Sequence, residues 1–276
     1  MKILVTGAAG FIGGQLWHTL WKRGDEVVGI DNFSYGNPDN LKFDDHDFGA
    51  EVRRMDIRDK AGMLALFEAE KFDVVYNIAG IAPLPDCQSD PVQAIEVNTL
   101  GLVNLLEAGR RTGIKQLVQA STNAMYENET EFPTVEGKFN PPTLIYPNTK
   151  YCGERFAQSF ADTYGMTVTC LRFANVYGER QGEKGEGGVV SIFCKLLSQR
   201  QGITVFGDGN QTRDFVYVGD IAQAIIRALP LKGCHTMNVS TGQETSINDL
   251  ICSFEKAVGY TVPVQYTAPR TGDILR

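Results

Sequence analysis

The chain has 276 residues, of which 43% are hydrophobic and 21% are charged, and its formal net charge is −7. This composition is typical of a folded globular protein of one or two domains and excludes a disordered or collagen-like chain. The acidic balance disfavours a nucleic acid as the main partner, because a polyanion would be repelled. No apolar run approaches the ~20 residues that cross a bilayer, so we expect no membrane segment. The six cysteines form no CxxC pair, which indicates reduced thiols and a cytoplasmic protein.

Short apolar runs alternate with longer amphipathic stretches over the first two-thirds of the chain. This pattern predicts strands at Ile3–Val5, Glu26–Ile30, Glu51–Met55, Val74–Tyr76, Gln116–Ala120 and Thr167–Arg172. It predicts helices at Phe11–Lys22, Lys60–Glu70, Pro91–Arg111 and Tyr146–Tyr164. Strands of continuous β-branched residues that alternate with helices indicate a parallel sheet covered on both faces. We therefore expect a doubly wound α/β fold.

The pattern changes after Gly178. The charged, glycine-rich stretch Glu179–Gly188 predicts a mobile loop. A helix at Val189–Leu197, a strand at Thr204–Phe206 and a helix at Ile221–Leu229 follow it. The chain stops soon after Asp273 without a closing helix, so we expect that C-terminal elements are missing.

Three glycines separate the first predicted strand from the first predicted helix. Gly7, Gly10 and Gly13 allow a tight turn and a close approach to a pyrophosphate at the helix N-terminus. The second predicted strand ends near Asp31, whose carboxylate can accept both ribose hydroxyls and would repel a 2′-phosphate. The pattern favours NAD over NADP. The alternative is an ordinary strand-to-helix turn in which Asp31 caps the next turn.

Later strand ends extend this predicted cofactor site. Asp56 can accept a hydrogen bond from the adenine amino group, and the small residues Ala79 and Gly80 would let the cofactor lie close to the backbone. Asn98 lies in a predicted helix and could either contact the cofactor or tie that helix to the edge of the sheet.

Tyr146 and Lys150 place a phenol and an ammonium on one face of a predicted helix. Ser121 and Thr122 end the fifth predicted strand, at the edge where α/β proteins bind ligands. A phenol with a pKa of ~10 is a poor base at neutral pH. Lys150 and a positive nicotinamide ring would lower that pKa, so these residues predict a hydride-transfer site. The alternative is a surface helix with a partly buried tyrosine.

These motifs resemble those of the extended short-chain dehydrogenase/reductase family, and within it the NAD-dependent nucleotide-sugar epimerases and dehydratases. The resemblance covers the whole chain and is carried by Gly7-x-x-Gly10-x-x-Gly13, Asp31, Ser121-Thr122, Tyr146-x-x-x-Lys150 and Arg172-x-x-Asn175-x-Tyr177-Gly178. It implies that Tyr146 is the general acid and base, that Lys150 holds the nicotinamide ribose and that Thr122 is the catalytic threonine. It implies a dinucleotide site lined by Phe11, Ile12, Asp31, Asn32, Asp56, Ile57, Ala79 and Gly80. It also implies substrate contacts by Ser121, Asn175, Arg213, Arg270 and Asp273.

The resemblance also implies a division of the chain. We expect a Rossmann domain over 1–178, extended by 214–240, and a smaller α/β substrate-binding subdomain formed by 179–213 and 241–276. We expect a homodimer that pairs through the helices carrying Asn98 and Tyr146. The three histidines are too few and too dispersed to predict a metal site.

The residues after Thr122 bear on the reaction. Related dehydratases carry an acidic residue there, whereas this chain has Asn123 and Ala124. We therefore expect a UDP-hexose 4-epimerase. A dehydratase, a 2-epimerase, a keto-sugar reductase and a non-catalytic NAD-binding regulator stay open as alternatives. The chain also departs from the family pattern at Asn77, in the loop Ala82–Cys87, and at Glu127, which replaces a usual glycine.

Overall fold

The computed structural model describes residues 1–137, 139–182, 188–269 and 275–276. The strands are β1 (Lys2–Thr6), β2 (Glu26–Asp31), β3 (Arg53–Arg54), β4 (Val74–Asn77), β5 (Gln116–Thr122), β6 (Val168–Phe173), β7 (Asn175–Tyr177), β8 (Ile203–Phe206), β9 (Thr212–Arg213), β10 (Phe215–Tyr217), β11 (Cys234–Val239), β12 (Thr245–Ser246) and β13 (Val264–Thr267). The helices are α1 (Phe11–Lys22), α2 (Lys60–Glu70), α3 (Leu84–Ser89), α4 (Pro91–Ile95), α5 (Gly101–Thr112), α6 (Ile145–Tyr164), α7 (Val189–Ser198), α8 (Val218–Arg227) and α9 (Ile247–Val258). Short 3-10 turns lie at Pro38–Leu41 and Asn123–Tyr126, and a π-helical segment, Glu96–Leu100, joins α4 to α5.

Seven strands form the central sheet in the order β11-β6-β5-β4-β1-β2-β3. Every neighbouring pair in this sheet is parallel. The chain begins in the middle at β1, proceeds to one edge at β3, and returns to β4 before it continues to the other edge. The strand order therefore reverses between β1 and β4, and ligands of such sheets bind at the carboxyl ends of the strands there. The predicted doubly wound fold is confirmed.

Helices cover both faces of this sheet. Ile3 and Val5 of β1 pack in the apolar layer that includes α1 and α8, whereas Leu4 packs in the layer that includes α2, α5 and α6. Successive residues of a strand point to opposite faces. Since both faces are covered by helices, the buried strands are rich in hydrophobic residues on both sides, which explains the apolar runs in the sequence.

Three predicted elements differ from the structure. The third strand was expected over Glu51–Met55, but β3 has only two residues, both exposed, at the edge of the sheet, where it pairs with β2 alone. The helix expected over Pro91–Arg111 is interrupted by the π-helical segment. The stretch expected to be a loop, Ala82–Cys87, contains the start of α3. Its prolines lie at the helix N-terminus, where a missing N–H costs little.

A smaller apolar cluster is built from later parts of the chain. Residues of α7, β8 and α9 form it, with Phe193, Val205 and Ile251 among its buried members. Two short sheets border it, one a parallel pair of β8 with β13 and the other an antiparallel pair of β9 with β12. The division of the chain into two domains stays a prediction. The predicted loop Glu179–Gly188 falls partly outside the described residues. In the part of the chain that the structure describes, no helix has the length and apolarity needed to cross a membrane.

Candidate active site

The turn between β1 and α1 is tight, and two of its positions require glycine. Gly7 has a φ of +66°, and a Cβ on Gly13 would overlap the carbonyl oxygen of Gly7. Neither position accepts a larger residue without movement of the backbone. The helix begins at Phe11 with Gly10 as its N-cap, and no described side chain caps it. The N-terminus of α1 is therefore suited to bind a diphosphate.

A groove of about 1260 Å³ lies over this turn, at the carboxyl ends of β1, β2 and β4. Its lining includes the predicted cofactor residues Gly7, Gly10, Phe11, Ile12, Gly13, Asp31, Asn32, Asp56, Ile57, Ala79 and Gly80. None of the described residues that line the groove is an arginine or a lysine. A groove whose described lining includes aspartates and no arginine or lysine suits NAD, which lacks the extra 2′-phosphate of NADP.

Asp31 joins the loop after β2 to the glycine turn. Its Oδ2 accepts a hydrogen bond from the Ala9 N–H at 2.9 Å, and its Oδ1 accepts one from the Phe33 N–H at 2.7 Å. Burial raises the pKa of this carboxyl, although the two N–H groups oppose the shift. Asp31 thus ties the loop after β2 to the glycine turn at the groove.

Asp56 is held by neighbours on the same side of the groove. The Arg58 guanidinium lowers the pKa of this carboxyl to about 2, with a smaller contribution from Asn32. The Asn32 Nδ2 donates to Asp56 Oδ2 at 2.9 Å. The contact of Asp56 with adenine stays a prediction.

A hydrogen bond joins the loops on the two sides of the groove. The Tyr35 hydroxyl donates to Asp86 Oδ2 at 2.7 Å. Burial and the neighbouring Asp86 raise the pKa of Tyr35 to about 12, so the phenol stays a neutral donor. Tyr35 follows β2 and Asp86 follows β4, and these strands flank β1. The bond therefore joins the loop after β2 to the loop after β4, across the end of β1.

Asn98 lies behind the groove lining. Its Oδ1 accepts from the Ile81 N–H at 2.8 Å, and its Nδ2 donates to the Ile81 carbonyl and to Thr149 Oγ1, both at 3.0 Å. The structure therefore gives Asn98 the supporting role that the sequence left open, because it ties the loop after β4 to α6. A direct contact with the cofactor stays a prediction.

A second cavity, of about 550 Å³, adjoins the groove. The two share Phe11 and Ile12 at the N-terminus of α1, and Ala82 and Leu84 beside α3. The second cavity is lined by several predicted catalytic and substrate residues, namely Ser121, Thr122, Tyr146, Asn175 and Arg213. The fold thus brings together residues from β5, α6, β7 and β9.

Helix α6 places Tyr146 and Lys150 one turn apart. Tyr146 lines the second cavity. Lys150 is buried, and its Nζ donates to the Ala120 carbonyl at 3.1 Å. A Cβ on Gly80 would lie 2.8 Å from the same nitrogen. The ammonium therefore lies beside the wall of the cofactor groove, and the phenol lies at the neighbouring cavity.

Thr122 and Ser121 end β5 and are both buried. The Thr122 Oγ1 accepts a hydrogen bond from the Ala124 N–H at 3.1 Å and so caps the 3-10 turn that follows. Ser121 lines the cavity, and its hydroxyl donates to Glu154 Oε1 at 2.7 Å. Ser121 is thus oriented by a residue that the sequence analysis did not single out.

Glu154 and Arg172 form a buried ion pair behind the strand ends. Arg172 donates to Glu154 Oε1 through Nε at 3.0 Å and to Oε2 through Nη2 at 2.7 Å. Its Nη1 donates to the Tyr126 hydroxyl at 2.8 Å. Burial opposes the charge of Arg172, but Glu154 outweighs it and the pKa of the guanidinium is raised. The sequence offered one indication that Glu154 belongs to the site, namely its position one turn after Lys150 on the same helix.

Two further predicted substrate residues, from β7 and β9, line the second cavity. Asn175 opens β7, and its N–H donates to the Asp214 carbonyl at 2.9 Å. Arg213 ends β9, and its Nη1 donates to the Thr212 carbonyl at 2.7 Å. Arg270 and Asp273 lie outside the described residues. No cluster of three His, Cys, Asp or Glu side chains that could hold a metal occurs in the described ranges.

Comparison with known proteins decides the family. Residues 3–240 match the model of the NAD dependent epimerase/dehydratase family. The chain belongs to this family. The UDP-glucose 4-epimerase of Mycolicibacterium smegmatis is 36% identical over 280 residues, which cover 100% of this chain and 88% of that protein.

Solved structures of this family are closely similar. The UDP-glucose 4-epimerase of Thermotoga maritima, solved with UDP-glucose, has a TM-score of 0.93 and 35% identity, with 100% of this chain and 88% of that chain covered. The UDP-glucose 4-epimerase of Thermus thermophilus, solved in complex with NAD, has a TM-score of 0.89 and 36% identity, with 100% and 89% covered. The resemblance predicted from the motifs is confirmed.

This chain departs from the pattern of the epimerase/dehydratase family at Asn77, and the residues around Asn77 explain the departure. Asn77 stands at the carboxyl end of β4, where a histidine is common in the family. Its Oδ1 accepts from Thr6 Oγ1 at 2.5 Å, and its Nδ2 donates to Gln119 Oε1 at 2.6 Å. Asn77 therefore fixes the ends of β1, β4 and β5 relative to one another beneath the site.

Proposed function

We propose that this protein is an NAD-dependent 4-epimerase of UDP-hexoses. The observation that carries the proposal is one cavity in which Tyr146, Thr122 and Arg213 meet beside the cofactor groove. An epimerase of this type needs an acid–base group beside the oxidant site and a phosphate ligand elsewhere in the same cavity. The fold and the curated relatives support the same activity.

The chain's own residues supply the proton chemistry. Bound NAD supplies a reversible hydride acceptor next to the cavity. The Tyr146 phenol oxygen takes the proton of the sugar 4-hydroxyl and later returns it. The Lys150 ammonium, held by the Ala120 carbonyl, favours the phenolate because it lies one helical turn away. Thr122 hydrogen-bonds the same sugar oxygen and positions it.

In this proposal the part of the cavity lined by Arg213 and Asn175 binds the nucleotide diphosphate. The Arg213 guanidinium can form paired hydrogen bonds with phosphate oxygens, and Asn175 can donate to the diphosphate or the sugar. Arg270 and Asp273 complete the nucleotide contacts in this proposal.

The cavity lining also bears on the alternatives. None of its described residues is an aspartate or a glutamate. A dehydratase needs a further acid and base to remove water from the sugar, so this lining favours the epimerase. The acidic cofactor groove disfavours an NADPH-dependent reductase, and the presence of Tyr146 and Lys150 disfavours a non-catalytic regulator.

An activity assay of the wild type and of a variant without the Tyr146 hydroxyl tests the proposal. Purified protein is mixed with UDP-galactose without added cofactor, and NMR should show its conversion to UDP-glucose. We expect Tyr146→Phe to lower turnover by about 10²- to 10⁴-fold while NAD content stays unchanged. Tyr151→Phe is the matched control, because Tyr151 lies on the same helix but packs against Phe139. Turnover of Tyr146→Phe close to that of the control would remove Tyr146 from the mechanism.

We also propose a homodimer. The segment that carries Asn98 exposes Val92, Ile95 and Leu100, and the neighbouring α6 exposes Phe156. Exposed apolar residues on adjacent helices indicate an interface, and a second copy of the chain would cover them. Light scattering after gel filtration should give twice the chain mass, and Phe156→Glu should give one chain mass. A monomeric wild type would contradict this proposal.

The proposed compartment is the cytoplasm. All six cysteines are free thiols, as in proteins of reducing compartments. The net charge of −7 also supports a protein that does not depend on nucleic acid. Mass spectrometry of protein denatured and alkylated at lysis should find all six cysteines alkylated, and disulfides would contradict the assignment.

A further inference from the structure

Glu127 lies next to the start of the helix that carries Tyr146. We infer that it is a positioning residue for the epimerisation, because its carboxylate fixes Thr143 and Leu144, immediately before α6, against the Thr122 turn. The inference rests on the proposed acid–base role of Tyr146. Glu127 itself does not line the second cavity.

One carboxylate oxygen of Glu127 accepts all of the relevant bonds. Glu127 Oε1 accepts from the Leu144 N–H at 2.9 Å and from the Thr143 hydroxyl at 3.0 Å. The Thr143 N–H donates to the same oxygen. Charged acceptors make the strongest hydrogen bonds in proteins, so three donors on one carboxylate form a rigid connection.

The start of α6 depends on acceptors from outside the helix. Leu144 is its N-cap and has no capping side chain, whereas most helices are capped by a serine, threonine, aspartate or asparagine. Pro147 in the first turn has no N–H to satisfy. The Ile145 N–H donates to Gln88 Oε1 of α3 at 3.2 Å. Glu127 therefore holds the N-cap residue Leu144, and Gln88 holds the first helical N–H, so both fix the start of α6 from outside the helix.

The same residue reaches back to the other catalytic element. Glu127 ends the 3-10 turn Asn123–Tyr126, whose N-cap is Thr122. Its bond to Leu144 therefore connects the turn after Thr122 with the N-cap of α6, which lies two residues before Tyr146. Because a misplacement of about 1 Å can lower a rate by about a hundredfold, this connection affects the chemical step.

Glu129 provides a matched control. Its carboxylate accepts from the Asn140 N–H, so it joins the same two segments of chain. The donor of that bond, Asn140, lies four residues before the N-cap of α6. The bond therefore does not hold the start of the helix. Loss of the Glu129 carboxylate therefore has the general effect of loosening the loop without the specific effect on Tyr146.

Steady-state kinetics of four variants test the inference. We expect Glu127→Ala to lower kcat by about 10- to 100-fold with KM changed less than about threefold. Glu127→Gln keeps an acceptor oxygen and should restore kcat to within about threefold of wild type, with an unchanged pH profile. Glu129→Ala should leave kcat close to wild type. If Glu127→Ala fails to fold, Glu127→Asp serves instead, since its shorter side chain cannot reach Leu144 and should lower kcat.

Two results would overturn the inference. One is a kcat for Glu127→Ala that matches that of Glu129→Ala, and the other is an effect confined to KM. Tyr146→Phe, assayed in parallel, separates this inference from the proposed function. If Tyr146→Phe stays active, the acid–base role fails; if it is inactive while Glu127→Ala is normal, only the positioning role fails.

Discussion

Replacement of Glu154 by alanine would leave the Arg172 guanidinium buried without its carboxylate. The side chains of Arg172 and Glu154 are 3% and 5% exposed, and two hydrogen bonds at 3.0 and 2.7 Å join them. Removal of one partner from a buried ion pair costs about 3–5 kcal/mol, because the remaining charge has lost both water and its counter-ion. Ser121 loses its acceptor in the same variant.

A loss of this size is measurable by thermal or urea unfolding. At about 2–4 °C per kcal/mol for a chain of this length, we expect Glu154→Ala to lower the melting temperature by about 6–20 °C. Glu107→Ala is the matched control, since Glu107 also pairs with arginines but at the surface. Exposed pairs contribute about 0–1 kcal/mol, so the control should melt within about 4 °C of wild type. Equal melting temperatures of the two variants would refute the reasoning.

The remaining predictions concern the two ligand sites. Arg213→Ala should raise the KM for UDP-galactose by about 10- to 100-fold while NAD content stays unchanged, as expected for loss of a charged hydrogen bond; an equal loss of NAD would indicate general destabilisation. Asp31→Asn should lower the ratio of NAD affinity to NADP affinity in calorimetric titrations, because the group that repels a 2′-phosphate is gone; an unchanged ratio would contradict the role of Asp31. Tyr35→Phe removes the hydrogen bond to Asp86 and should speed NAD release by about tenfold in a dilution assay; a release rate equal to that of wild type would show that this bond does not retain the cofactor.

The fold and the centre of the site were predictable because both depend on local patterns. Continuous apolar runs identified the buried strands, and the glycine spacing identified the turn before α1. Tyr146 and Lys150 were predicted as a pair because helical spacing places them on one face, and Ser121 and Thr122 at a strand end supported that prediction. Asp31 was found because its position relative to that turn follows from the strand-turn-helix unit.

Other features could not be predicted because they depend on contacts between distant parts of the chain. The bond of Glu154 to Arg172 joins α6 to β6, and the bond of Tyr35 to Asp86 joins residues 51 positions apart. Helix α3 was missed because prolines usually indicate a loop, although at a helix N-terminus they fit. Strand β3 was overestimated because a sequence pattern does not show which strand lies at the edge of a sheet.

The fate of a single hydrogen tests the central claim most directly. The account requires that the hydrogen on C4 of the sugar leaves and returns without contact with water. UDP-glucose carrying deuterium at C4 should therefore give UDP-galactose in which the label is still at C4, as measured by NMR and mass spectrometry in ordinary water. Loss of the label to solvent, or its transfer to another carbon, would contradict the account.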